Sequence, residues 1–334
     1  MGKKGKKLHL SGPAIILIVL VVVSSLFINS FIRIGNINNI LRQASMLSLV
    51  AMGQCIVILL AGIDLSQGSV MGLTGVSTAL ILSKGVPLVP GIILGLAIAM
   101  FCGLINGYLI SYVKIPQFVA TFGMFGMALG VALVISDSRV IWGFPETVRV
   151  IHDGEILGIS APFVIVGIIY LIMFWLLKFT RFGTSIYAIG GNATAAELSG
   201  MPVKRNVMLS YGISGLLAGA AGIMLMARMN SARAIMGTGY EFEAIAAVIL
   251  GGTNRLGGKG GAVETITGVL ILAVVRNALN LIGVSVYLQM VAVGFVLIVV
   301  YIINQNKGSN PLRKWFPVKN KGLVSGTTGN GNGR

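Results

Sequence analysis

Charged residues are scarce in this chain of 334 residues: only 10% are Asp, Glu, Lys or Arg, and only nine are acidic. Soluble domains carry roughly 25% charged residues, so a soluble fold does not account for this composition. The two histidines, two cysteines and nine carboxylates show no metal-ligand spacing and no nucleophile–base pairing. The composition therefore argues against an enzyme and predicts no bound metal.

The sequence consists mostly of long apolar runs. Hydrophobic residues make up 55% of the chain, and about 20 of them in a helix cross a bilayer. Within the eighth predicted segment, Ala244–Gly252 is too short to cross alone. It needs Tyr240–Glu243 at its outer end, or it is a half-helix that is buried in protein. The fold predicted is all-α and polytopic, with about ten transmembrane helices: 12–29, 43–62, 66–83, 88–112, 116–135, 161–178, 207–227, 241–252, 262–281 and 286–303.

The net charge of +16 is concentrated at the two ends of the chain and around residues 178–205. Basic residues beside membrane segments mark the cytoplasmic side and contact anionic lipid, so this charge predicts orientation rather than nucleic-acid binding. An even number of spans places both termini in the cytoplasm. The predicted parts are a basic N-terminus (1–11), a transmembrane domain (12–303) with a cytoplasmic loop (179–206) and an external loop (136–160), and a basic, disordered tail (304–334).

A short polar insert, Tyr187–Val203, separates two apolar segments and carries its own helix signals. Asn192 suits an N-cap, Gly200 suits the C-terminal stop, and Pro202 prevents continuation of the helix. A capped helix between two spans, facing the cytoplasm, can receive force from a soluble partner. The alternative is an ordered connecting loop.

The glycine-rich run Gly251–Gly261 superficially suggests a phosphate loop. It departs from the P-loop pattern, because Gly258 stands where lysine is required and Lys259 is followed by glycine instead of Ser or Thr. The chain is therefore not predicted to bind or hydrolyse ATP, and no cofactor is expected. If ATP drives its activity, partner subunits bind the nucleotide.

Four polar residues in or beside the apolar segments are candidates for a substrate pathway. Asp64 follows the second span, and carboxylates in membranes are usually functional, but Asp64 can also cap the next helix together with Ser66. Asn277 and Asn280 share one helix face at i, i+3 spacing. They could line a polar cavity or equally bond to neighbouring helices.

Small-xxx-small spacing recurs along the predicted spans. Such spacing lets membrane helices approach closely, and it predicts packing seams rather than sites. The glycine pairs with this spacing are Gly91/Gly95, Gly126/Gly130 and Gly215/Gly219.

Several spaced motifs occur in order: Gly62-Ile-Asp-Leu-Ser, Tyr187-Ala-Ile-Gly-Gly-Asn, Gly237-Thr-Gly-Tyr-Glu, Ile245-Ala-Ala-Val-Ile-Leu-Gly-Gly and Asn277-Ala-Leu-Asn-Leu-Ile-Gly-Val. With these motifs the chain resembles the ribose-type permeases of bacterial ABC sugar importers, the branch that includes xylose, galactose and autoinducer-2 permeases. The likeness runs from about residue 36 to residue 303.

The resemblance implies a permease of the bacterial cytoplasmic (inner) membrane that works as a dimer, with a homodimer expected. Two ATPase chains bind inside and one sugar-binding protein binds outside. Ribose is the first candidate substrate because the motifs are most similar to those of ribose permeases. Other pentoses, hexoses, inositol and the autoinducer remain alternatives. In that family the Gly-Gly-Asn loop is the coupling segment, so the residues expected to face the ATPase are Asn192, Ala195, Glu197, Leu198, Ser199 and Gly200.

The expected mechanism is alternating access, in which closure of the ATPase subunits rocks the helix bundle. The alternative is an ion-driven secondary transporter of a small polar solute. Such a transporter usually needs a carboxylate or an ion site in the middle of the membrane. The near absence of charge within the predicted spans argues against this alternative.

Overall fold

The computed structural model describes residues 12–156, 159–285, 287–292 and 294–295. The predicted N-terminal part, the tail and most of the tenth span lie outside these residues. A two-residue hairpin, β1 (Glu155–Ile156) with β2 (Ile159–Ser160), and a 3-10 turn (Glu146–Arg149) accompany the helices. The helices are α1 (Gly12–Phe27), α2 (Ile34–Leu59), α3 (Gln67–Ser83), α4 (Leu88–Ser111), α5 (Gln117–Ile135), α6 (Val150–Asp153), α7 (Ala161–Phe179), α8 (Arg181–Gly191), α9 (Ala193–Leu198), α10 (Val203–Met229), α11 (Tyr240–Leu250) and α12 (Ala262–Leu281).

The described part of the chain contains six helices long and apolar enough to cross a bilayer, namely α2, α4, α5, α7, α10 and α12. The all-α, polytopic architecture is therefore as predicted. Helices α1 and α3 are slightly shorter, at 16 and 17 residues, and α11 has only 11. A total of about ten crossings and cytoplasmic termini stay predictions.

Helix α2 forms the centre of the bundle. Every residue from Ala44 to Leu59 is buried, and α7, α8, α10, α11 and α12 pack around this helix. A helix that is buried on all sides belongs to the core of a membrane bundle or a large protein. Most large exposed apolar side chains lie instead on the outer helices, among them Phe101 of α4, Phe122 of α5 and Leu171 of α7.

Helices α4 and α10 pack against each other through glycines. A Cβ atom on Gly103 would lie 2.1 Å from the carbonyl oxygen of Tyr211, and one on Gly215 would lie 2.4 Å from that of Ala99. The two backbones are thus in direct contact. Lipid tails are as apolar as leucine, so this close packing, not hydrophobic burial, is what joins the helices.

Two of the three predicted glycine seams exist within the described chain. Gly91 and Gly95 face Leu82 and Thr78 of α3, and the Gly215/Gly219 pair faces α4. The third prediction, for Gly126/Gly130 on α5, is wrong here because no atom lies within 4 Å of where their Cβ atoms would be. Helix α5 buries its opposite face, through Ala120, Met124, Ala128 and Ala132.

The segment 136–160 covers one end of the bundle. Phe144 and Val148 are buried in a cluster with residues of α3 and α10. A backbone bridge joins Ile141 to Ala232, and the Arg42 side chain, in the third turn of α2, donates to the hydroxyl of Ser160 at 3.3 Å. The segment is therefore packed against the helices and does not project freely.

Replacing Gly215 by alanine tests the α4–α10 seam. We expect Gly215→Ala to lower the free energy of unfolding by about 1–3 kcal/mol, because its Cβ would overlap the backbone of α4. Gly167→Ala on α7 is the matched control, since nothing lies within 4 Å of its Cβ and the gain in helix propensity is the same. Thermal unfolding in detergent compares the two. Equal stability of both variants would contradict the seam.

Candidate functional site

The polar insert forms the predicted helix, α9. Asn192 is its N-cap, and the Asn192 side-chain oxygen accepts a hydrogen bond from the backbone N–H of Ala195 at 3.0 Å. Of residues 191–200 only Ala196 is buried, and Leu198 is 86% exposed. Helix α9 therefore stands on the surface and is anchored by one side chain.

The C-terminal end of α9 is closed by a Schellman motif. The N–H of Met201 bonds to the carbonyl oxygen of Ala196 at 3.1 Å, and the N–H of Gly200 bonds to that of Glu197 at 3.0 Å. Gly200 has φ +78°, a left-handed conformation that glycine adopts at little cost. Both ends of this short helix are thus fixed by hydrogen bonds, as Asn192 and Gly200 predict.

Helix α8 carries α9 and packs on the bundle. The Thr180 hydroxyl accepts from the N–H of Gly183 at 3.2 Å and caps α8, whose buried face includes Ile186 and Ile189. Asn192 has an extended backbone and is both the C-cap of α8 and the N-cap of α9. A single side chain therefore fixes the corner between the two helices.

Three backbone segments meet beneath α8, and we name this contact the coupling node: Gly190 of α8, Leu59 at the end of α2, and Gly258 of the glycine-rich loop. The N–H of Gly258 donates to the carbonyl oxygen of Leu59 at 3.0 Å. A Cβ on Gly190 would lie 1.8 Å from that same oxygen and 2.8 Å from the nitrogen of Gly258. The node therefore leaves no room for a side chain at position 190.

Tyr187 adds a second link between α8 and the glycine-rich loop. Its hydroxyl donates to the carbonyl oxygen of Gly260 at 2.8 Å. A tyrosine hydroxyl is protonated at physiological pH, and burial raises the pKa of Tyr187 further, to about 12.

Asp64 lies in the turn between α2 and α3 and is 1% exposed. Its Oδ1 accepts from the backbone N–H and the hydroxyl of Ser66, at 3.0 and 2.6 Å, and its Oδ2 accepts from the hydroxyl of Ser214 on α10 at 2.8 Å. Asn106 of α4 donates to the Ser66 hydroxyl at 2.9 Å. The network therefore ties the turn and the start of α3 to α4 and α10.

The predicted pathway residues do not converge on one surface. Asp64 and Ser66 are inside the network, whereas Asn277 of α12 exchanges two hydrogen bonds with Asn36 of α2, at 2.8 and 2.9 Å. Asn280 is exposed and accepts from Gln289 at 2.7 Å. These contacts match the alternative in which both amides bond to neighbouring segments, and a pathway role stays a prediction.

The sequence reasoning missed the coupling node. The Gly190–Gly191 pair was the available signal, because paired glycines before a cap often mark a close backbone approach. Nothing in the sequence marks Leu59, which takes part only through its main-chain oxygen.

Comparison with known proteins places the chain in a family. Residues 36–301 match the family described as the permease component of branched-chain amino acid transport systems. The ribose import permease protein RbsC of Escherichia coli is 40% identical over 297 residues, covering 88% of this chain and 92% of that protein. RbsC of Bacillus subtilis is 38% identical over 300 residues (89% and 93%), and the D-allose transport system permease protein AlsC of E. coli is 36% identical over 285 (85% and 87%). No solved structure matches the chain.

Alanine at position 190 tests the coupling node. We expect Gly190→Ala to push α8 away from Leu59, so that amides of α8 and α9 exchange faster with deuterium while α4 and α10 keep their protection. Gly191→Ala is the control, because nothing lies within 4 Å of its Cβ. Hydrogen exchange read by mass spectrometry checks both variants. Unchanged exchange in Gly190→Ala would remove the node from the candidate site.

Proposed function

Because the chain belongs to the permease-component family of branched-chain amino acid transport systems, we propose that it is the membrane-spanning subunit of an ATP-binding cassette importer for a small sugar. The similar relatives are named as permeases for ribose and D-allose, and a third, 33% identical, as one for L-arabinose. Ribose is the first candidate because three organisms' ribose permeases are 38–40% identical to the chain.

The observation that carries this proposal is the rigid, exposed helix α9. Leu198 offers an apolar side chain and Glu197 a charge, both on a helix whose two ends are capped. Because both ends of α9 are already fixed by hydrogen bonds, a partner that buries Leu198 in a groove has little of this helix left to order on binding. We assign the contact to the ATPase subunits, with Asn192, Ala195, Ser199 and Gly200 shaping its backbone.

The coupling node supplies the mechanical route from α9 to the bundle. A movement of α9 is carried by α8 to the carbonyl oxygen of Leu59, because no side chain separates Gly190 from that oxygen. Leu59 ends α2, the central helix. Rocking of α2 against its neighbours is the type of shear motion by which alternating access proceeds.

The remaining partners follow from the family. We assign a sugar-binding protein to the opposite, external end, a second permease chain beside this one, and both termini to the cytoplasm. The basic residues around α8 and α9, namely Lys178, Arg181, Lys204 and Arg205, support a cytoplasmic position for that end through the positive-inside tendency.

In the alternative, an ion-driven transporter, Asp64 is the buried carboxylate that would bind the ion. Its two carboxylate oxygens already accept three hydrogen bonds from Ser66 and Ser214. These bonds to Ser66 and Ser214 give the carboxylate a structural role within the bundle. Uptake that persists without ATPase subunits and collapses with an ionophore would support this alternative.

A charge reversal on α9 tests the proposed ATPase contact. We expect Glu197→Arg to abolish most ATP-dependent sugar uptake, because an unmatched charge in a partly desolvated interface costs about 2–5 kcal/mol. Glu197→Gln, which keeps the size of the side chain and reverses no charge, is the control and should retain most of the uptake. Uptake and ATPase rate are measured together in proteoliposomes. Normal uptake by Glu197→Arg would exclude this contact.

Accessibility to a charged thiol reagent tests the orientation. The native Cys55 and Cys102 are buried, so labelling by the reagent reports on the single introduced cysteine. In intact cells we expect the reagent to label Thr147→Cys, beside Glu146. It should not label Ala195→Cys until the cells are permeabilised. Labelling of Ala195→Cys in intact cells would invert the assigned topology.

A further inference from the structure

A cleft with one basic and one acidic side chain lies beside the coupling node. It is formed by the last turns of α7, by α8, and by the start of α12 with the end of the glycine-rich loop. The polar side chains that line it are Lys178, Thr184, Tyr187 and Glu264. Its volume is about 430 Å³. Small-molecule sites in proteins usually measure about 300–1,000 Å³, so the cleft has room for a ligand.

The cleft lies where the end of a membrane span meets the polar boundary. Lys178 is in the last turn of α7, which is long and apolar enough to cross a bilayer. Trp175 and Phe179 of the same turns are exposed, as is Val263 in the first turn of α12. Tryptophan and lysine at the end of a span are typical of the level of the lipid headgroups. The cleft is therefore placed to meet headgroups on one side of the membrane.

Lys178 supplies the positive charge of the cleft. Its Nζ lies 5.0 Å from the centroid of the Phe174 ring and 5.6 Å from that of the Phe179 ring. The two rings hold the ammonium in place by cation–π attraction. Among the residues that the structure describes, none forms a hydrogen bond or an ion pair with this ammonium. Its three N–H donors are thus available to an anionic group such as a phosphate.

Glu264, in the first turn of α12, supplies the negative charge. A Cβ on Gly261 would lie 3.5 Å from Glu264 Oε2 and 3.1 Å from the hydroxyl of Tyr187, so the carboxylate lies beside the phenol. That phenol donates to Gly260, whereas no residue in the described ranges donates to the Glu264 carboxylate. Lys178 and Glu264 form no ion pair with each other. The cleft therefore presents two separate charges of opposite sign.

We propose that this cleft binds one membrane phospholipid of the phosphatidylethanolamine class, with its phosphate at Lys178 and its primary ammonium at Glu264. An anionic headgroup would bring like charge to Glu264. A soluble zwitterion would leave the apolar lining of Phe174, Leu177 and Val263 without a partner. A lipid that carries both charges and acyl chains matches the two charged side chains and the apolar wall together.

The choline headgroup is the discriminating comparison. It carries the same two charges, but its nitrogen bears three methyl groups and has no N–H to donate to the carboxylate. Hydrogen bonds between charged groups are stronger than those between neutral groups, so the loss falls on the contact with Glu264. The cleft should therefore prefer ethanolamine over choline lipids of identical acyl chains.

A lipid bound here would brace the junction that the coupling node also serves. The cleft is lined by both Tyr187 of α8 and Gly260 of the glycine-rich loop, which are joined by a hydrogen bond. A lipid that contacts α7, α8 and α12 at once holds α8 against that loop. The site does not depend on which solute the permease transports, so the permease alone is sufficient to test it.

Native mass spectrometry of the purified full-length permease measures the preference. The detergent solution contains equal amounts of palmitoyl-oleoyl phosphatidylethanolamine and phosphatidylcholine. We expect the wild type to retain the ethanolamine lipid about 2- to 5-fold more than the choline lipid, the effect of one partly exposed ion pair. In a second readout, amides of α8 should exchange more slowly with deuterium in the ethanolamine lipid than in the choline lipid.

Two charge-neutralising variants should change retention in different ways. Glu264→Gln should abolish the preference between the two lipids. Lys178→Gln should lower retention of both, because both carry the phosphate. Glu155→Gln and Lys114→Gln, at exposed positions outside the cleft, are the matched controls and should behave as the wild type. Thermal unfolding identifies a variant that fails to fold, and the wild-type preference and the other variant then decide.

Three results would overturn the assignment. The first is equal retention of the two lipids by the wild type, or an unchanged preference in Glu264→Gln. The second is stronger retention of phosphatidylglycerol, which would make the site one for anionic lipid. The third is displacement of the bound lipid by an equal concentration of soluble glycerophosphoethanolamine, which would assign the cleft to a headgroup without acyl chains. None of these results bears on sugar uptake, so the proposed function stands or falls separately.

Discussion

The structure depends on how closely backbones approach around α2. In lipid there is no hydrophobic drive between helices, so association relies on dense van der Waals packing and hydrogen bonds. Gly53 of α2 lies within contact distance of Ser214 on α10, and Gly215 of α10 packs against α4 on an adjoining face. Because α2 is enclosed, it cannot move without displacing its neighbours.

Polar contacts add specificity to this packing. The Asp64 carboxylate accepts three hydrogen bonds, and Asn36 and Asn277 pair in both directions. A buried carboxylate or amide left unpaired would cost free energy, so each network favours the one arrangement of helices in which its members meet. The networks hold α2 in register with α10 and α12, and the coupling node holds it in register with α8.

Sequence reasoning was most accurate where the signal is local. Asn192, Gly200 and Pro202 predicted the ends of α9 because caps and stops act over three or four residues along the chain. The sequence also predicted that the eighth segment is short, because its apolar run is short, and α11 has 11 residues. The Gly126/Gly130 prediction failed because spacing shows that a helix has a small-residue face and says nothing of what lies opposite.

Composition and local pattern by themselves determined the membrane class, the positions of most helices and the helix α9 with its two ends, and the spaced motifs gave the resemblance to the family. Only the tertiary structure decided which residues meet: Gly190 with the main-chain oxygen of Leu59, Asp64 with Ser214, and Arg276 with Glu243. The physical reason is that a hydrogen bond or a close contact depends on atoms a few ångströms apart in space. A sequence orders residues along one line, and the partners in these contacts are separated by 33 to 150 positions on it.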